Sequence, residues 1–143
     1  MNILIIAIIL FLVLELMNVA TLYFKPDSKA GNGIGVFNAW EKSKEIPEVH
    51  ELVKYLTYWV AGTKLIFIGL LLVIILTANE VTQFYAVGVL ILSIFSFYWR
   101  LYPMIKKMDA QNHITPKGYS KTLGMMITVI IIVLSAVLFI SML

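Results

Sequence analysis

The chain contains no cysteine, which excludes a disulfide framework, a CxxC redox pair, thiolate metal sites and a cysteine nucleophile. It is also poor in charge. Only 13% of its 143 residues are Asp, Glu, Lys or Arg, against 61% hydrophobic residues, and the mean hydropathy is +0.94. That balance excludes a disordered chain and argues against a water-soluble globule. No nucleophile elbow, kinase signature or dinucleotide fingerprint occurs, and no carboxylate pair with a nearby histidine is arranged in a span as a catalytic set. The pI near 9.1 rests on a net charge of only +3, and the cations flank apolar runs. Membrane topology explains them better than a nucleic-acid partner.

What is present is four apolar runs, at about residues 3–24, 52–77, 81–102 and 119–142. Roughly 20 apolar residues at about 1.5 Å rise span a hydrocarbon core of about 30 Å, so each is long enough to cross a bilayer. The first run lacks both the charged start and the small-residue cleavage site of a secretory signal, so it is expected to be a retained helix. Pro47, with Glu48 and Glu51 behind it, suits the start of the second helix, whose first N–H groups need no partner and whose positive dipole end favours acids. Ala78, Asn79 and Glu80 leave so short a link that spans two and three form an antiparallel hairpin. Thr115 and Pro116 read as cap and first turn of the fourth. The runs lack the alternation of membrane β-strands.

Ten of the eleven cations fall in the first and third connections: Lys25, Lys29, Lys42, Lys44 and Lys54, then Arg100, Lys106, Lys107, Lys117 and Lys121. Positive loops are retained in the cytoplasm, which puts both termini outside. Tyr23, Tyr55, Tyr58, Trp59, Tyr98, Trp99, Tyr102 and Tyr119 collect at the same inner ends, where amphipathic rings favour the headgroup level, and only Tyr85 lies near the outer face. The tract Gly31, Asn32, Gly33, Ile34, Gly35 reads as a flexible turn. It precedes a short amphipathic helix around Val36, Phe37 and Trp40 on the inner surface. The third helix is expected to continue past the bilayer with a kink near Pro103.

Two ionisable residues do not fit the topology: Glu15 in span one and Lys64 in span two. Charges at membrane depth cost several kcal/mol unless paired or hydrated. Glu15 lies nine residues from Phe24, and Lys64 five to nine from the Tyr55 to Trp59 belt; these are depths of about 13 Å and about 8 to 13 Å. The levels overlap, which predicts an ion pair with Asn18 one turn away. Polar stripes Tyr85, Ser93, Ser96, Arg100 and Lys121, Gly124, Thr128, Ser135 suggest that Ser93 and Thr128 join it, although hydroxyls are ordinary in spans because they bond the preceding turn.

The remaining candidates are weaker. The glycine tract lacks the strand and the Lys-Ser or Lys-Thr of a phosphate loop. His50 and His113 fall in connections; His50 between Glu48 and Glu51 has no metal-ligand spacing and reads as a solvated side chain. Arg100, Lys106, Lys107, Lys117 and Lys121, offset by Asp109 alone, make the third connection +4, a surface for anionic lipid or a partner.

The expectation is therefore one four-span membrane domain over residues 1–143, an all-α antiparallel bundle of the cell membrane with no metal and no cofactor. Three functions compete. The first is binding or transport of a small polar ligand or ion at Glu15, Asn18, Lys64, Ser93 and Thr128. The second is a structural or accessory subunit with Glu15 and Lys64 as a register-setting pair. The third is an interface enzyme using His50, Glu51, Arg100 and His113. Partners are lipids, and a second copy or a partner membrane subunit, since so small a bundle cannot enclose a wide aqueous path alone.

Overall fold

A computed structural model describes residues 2–30 and 32–143, leaving Met1 and Gly31 outside the described residues. The chain is all helix, 80% of it, with no strand among the described residues. The helices are α1 (Ile3–Phe24), α2 (Asn38–Ser43), α3 (Pro47–Thr77), α4 (Glu80–Phe95), α5 (Leu101–Ala110) and α6 (Tyr119–Ile140), with 3-10 turns at Ile34–Val36 and Ser96–Tyr98. Four stretches are long and apolar enough to cross a membrane: α1, α3, the run Glu80–Ala110 and α6.

Local chemistry sets most of the boundaries. Asn2 caps α1 by accepting the Ile5 N–H at 2.9 Å, Pro47 opens α3 at its first position, and Asn79 caps α4 through the Thr82 N–H. Two boundaries differ from expectation. The third stretch breaks at the Ser96–Tyr98 turn and Arg100, not at Pro103, which sits in the first turn of α5; a missing N–H is harmless there. The α6 helix begins after Gly118, whose φ of +85° glycine tolerates. Thr115 and Pro116 do not cap it: the Thr115 hydroxyl donates to Asn38 Oδ1 at 2.8 Å.

In the bundle α1 packs most extensively on α3, and α4 on α6. Leu4, Ile8, Phe11, Val19, Leu22, Ala61, Ile68, Leu71, Val87, Leu90 and Leu134 form the core. In a bilayer, helices of this kind would gain little from burying apolar surface against each other, and fit and polar contacts would carry their association. Asn2, Glu80 and Ser141 line one cavity, which puts both termini and the α3–α4 turn at one end.

At the other end the two long connections fold onto each other. The Asn38 N–H donates to His113 O at 2.9 Å and the Thr115 N–H to Val36 O at 2.8 Å, around an isolated antiparallel bridge between Phe37 and Ile114. Val36, Ile105, Ile114 and Leu123 make a second apolar cluster beneath them. The described part of the glycine tract is not the flexible turn that the sequence predicts but a close-packed one. A Cβ on Gly33 would meet Ser28 O at 2.5 Å, and one on Gly35 would collide with Asp27 O, so glycine is demanded by backbone approach.

Candidate functional site

Among the buried residues of α1, Leu4, Ile8, Phe11, Val19 and Leu22 follow a spacing of three or four, with Ala7 and Leu12 beside them, and Glu15 stands in the gap of that series. On α3 they are Thr57, Ala61, Ile68 and Leu71, with Lys64 in the gap. This is the spacing of an interhelical seam. The helices run antiparallel along it: Tyr23 stacks on Tyr58 at 5.5 Å and Phe11 meets Phe67 edge-on at 6.1 Å. Glu15 and Lys64 thus occupy a layer where the packing calls for an apolar residue.

Lys64 Nζ lies 2.7 Å from Glu15 Oε2 and donates to Asn18 Oδ1 at 2.8 Å. Two of its three N–H donors are engaged, and Glu15 Oε1 accepts nothing from the described residues. Neither side chain is sealed: Lys64 is 25% and Glu15 22% exposed, both toward a cavity of about 220 Å³ between α1, α3 and α6. Its polar lining is Glu15, Asn18, Thr21, Asn32 and Lys64, and the α6 wall is Leu123, Met126, Ile127 and Ile130.

Ser93 and Thr128 are not in this chamber. Ser93 lines a groove between α3 and α4 with Phe67 and Leu70. The Thr128 hydroxyl lies 2.6 Å from that of Tyr98, which also donates to Gly124 O at 2.8 Å. Thr128 therefore ties the Ser96–Tyr98 turn to α6, and the polar stripes of the last two spans do not converge on the ion pair. Arg100, Lys106, Lys107, Lys117 and Lys121 are all exposed. Arg100 sits over the Trp99 ring at 5.6 Å, and none of the five forms an ion pair among the described residues.

Three polar centres give no local sequence signal. Asn32, with φ of +59°, lies over the chamber's loop end: its carbonyl accepts from Asn18 Nδ2 at 3.4 Å and its Oδ1 from the Tyr119 hydroxyl at 3.2 Å. Asp109 caps α6 from a distance, accepting the Gly118 and Ser120 N–H groups at 2.9 Å and the Ser120 hydroxyl at 2.6 Å. Asn2 donates to Glu80 and to the buried Gln83 at 2.9 and 2.8 Å, binding α1 to α4.

The loop end holds a second charged cluster. Asp27 accepts from the Trp40 indole at 2.6 Å and from Lys44 at 2.8 Å. The hydrogen bond from Lys44, and then that from Trp40, hold the Asp27 carboxyl below its ordinary 3.8, while the bonds to Asp27 and Glu41 raise Lys44. His50 is not simply solvated: its Nδ1 lies 2.9 Å from Ser43 Oγ and its ring 4.7 Å from Trp40. Comparison with known protein families, curated proteins and solved structures finds no match to the chain.

Proposed function

We propose that the protein is a multi-pass membrane protein of the cell membrane that binds a small polar ligand or ion in the chamber at Glu15, Asn18 and Lys64. Both termini face outward, and α2 lies at the inner surface. The lysine-rich connections retain that face in the cytoplasm, and Arg100, Lys106, Lys107, Lys117 and Lys121 meet anionic lipid. The observation that carries the reading is the cavity itself. A charge pair that served only to join two helices would be closed over, whereas here an ammonium N–H and a carboxylate oxygen face open space of about 220 Å³. That space holds about seven waters at about 30 Å³ each, enough for a compact solute or head group.

A structural or accessory role is the second reading, favoured by the 2.7 Å contact and the Asn18 bond. An interface enzyme has less support, since His50 engages Ser43 and Trp40 while Arg100 lies over Trp99. Native mass spectrometry of the full chain separates the first two. Wild-type protein is expected to carry a small-molecule adduct that a folded Glu15→Leu/Lys64→Leu variant lacks. Identical adducts on both, or none on either, overturn binding in favour of the structural pair.

A further inference from the structure

We infer that the chamber is filled from the bilayer, by a neutral amphiphile whose head presents a hydrogen-bond acceptor beside a donor, as a carboxamide does, on an apolar tail. This rests on the binding reading above and names its ligand class.

The direction of access follows from the walls. Leu14, Met17 and Met126 line the cavity and are also 52%, 64% and 49% exposed on the outside of the bundle. Side chains that face lipid and cavity at once make a lateral mouth between α1 and α6. At the loop end, the water-side approach is covered by Asn32, held by Asn18 and Tyr119. The chamber is thus apolar toward the lipid and roofed toward the connections.

The head group follows from the floor. Lys64 has one N–H left for an acceptor, and Glu15 Oε1 is left for a donor; the two groups are joined at 2.7 Å, so their open valences are neighbours. A ligand with only an acceptor leaves the carboxylate oxygen unmatched, and an unmatched polar group away from water is costly. The pair already cancels its own charge, and a net charge added at membrane depth carries a further penalty. A neutral head with both functions satisfies the two together. The volume admits that head and the first part of its tail; the rest extends through the mouth along exposed Met17 and Met126.

The test is saturable binding of radiolabelled decanamide to the full chain in lipid nanodiscs, against empty nanodiscs, with acetamide as the tail-less probe. Wild-type protein is expected to bind decanamide and not acetamide at matched concentration. Lys64→Met and Glu15→Gln each weaken binding about tenfold or more, the scale of one charged hydrogen bond. Met126→Trp, which blocks the mouth without touching the pair, abolishes binding while the melting temperature holds, so the result does not depend on the charge variants folding. Acetamide binding as well as decanamide overturns lateral access and leaves the binding reading standing. Decanamide binding equally to wild type and Lys64→Met is bilayer partition and overturns the inference. Absence of saturable decanamide binding overturns it too, and absence of native adducts as well removes the binding reading with it.

Discussion

Two lysines in this chain make nearly the same contact in opposite settings. Lys64 meets Glu15 at 2.7 Å with about a quarter of each side chain exposed; Lys44 meets Asp27 at 2.8 Å with 41% and 63% exposed. Distance does not separate them, but surroundings do. Around Lys44 water screens the charges and competes for every bond, so such a pair adds little. Lys64 stands between the core residues Ala61 and Ile68 of α3, and Glu15 between Phe11 and Val19 of α1, and neither charge can be left without the other. An ion pair is strong evidence of a site only where its desolvation has to be offset.

The sharpest way to break the comparison is to remove one partner from each. Lys64→Met leaves Glu15 uncompensated in the seam and is expected to destabilise the bundle by about 3–5 kcal/mol, read by denaturant unfolding in mixed micelles. The Glu15→Leu/Lys64→Leu double variant should recover most of that loss or exceed wild type, because apolar residues then fill an apolar layer. If the double variant is as damaged as Lys64→Met, the pair is a structural necessity.

Next in size comes the cap on α6. Asp109 is 6% exposed and accepts three bonds from Gly118 and Ser120, so Asp109→Ala strands two backbone N–H donors at a helix start. A loss of about 2 kcal/mol is expected, with amide exchange rising first over residues 118–122. Unchanged exchange there would mean that water replaces the carboxylate, and would align Asp109 with the weak, exposed Asp27–Lys44 pair instead of the Glu15–Lys64 pair in the seam.

These sites differ in how far the amino-acid sequence discloses them. Hydropathy and capping locate α1, the start of α3 at Pro47 and the α3–α4 hairpin, because those signals are local. The rise per residue brings Glu15 and Lys64 to one level, the level at which they touch. Helix face is harder: a small error in phase carries Ser93 and Thr128 into the polar centre, whereas one lines the α3–α4 groove and the other binds Tyr98. Asn32 and Asp109 act across 14 or 87 and 9 or 11 positions respectively, and no periodicity encodes a contact made by two connections folding together. Pro103 and Pro116 misled for the same reason: proline marks where a helix is permitted to start, and the true breaks were set by the Ser96–Tyr98 turn and by Gly118.

The smallest effect is expected at Asp27 and Lys44, and there pH sharpens the comparison. Asp27 is depressed below 3.8, so its contribution is present above that value and is lost as pH falls through the lowered one. Lys44 is raised above 10.5, so its contribution is present below that value and is lost as pH rises through the raised one. The pair is therefore intact across the whole neutral range. In a Trp59→Phe/Trp99→Phe background Trp40 becomes the only indole, and its Nε1 is bonded to Asp27. Its emission should stay flat from about pH 5 to about pH 9 and shift only in stronger acid, and Asp27→Asn should erase that acid limb. Added salt should weaken the Lys44 contact at neutral pH, as screening does for exposed charges. A transition inside the neutral range instead would mean that a group other than Asp27 and Lys44 governs the surroundings of Trp40. The loop end would then carry a titrating element of its own, and the contrast between an inert, exposed pair and a consequential, half-buried one would no longer hold.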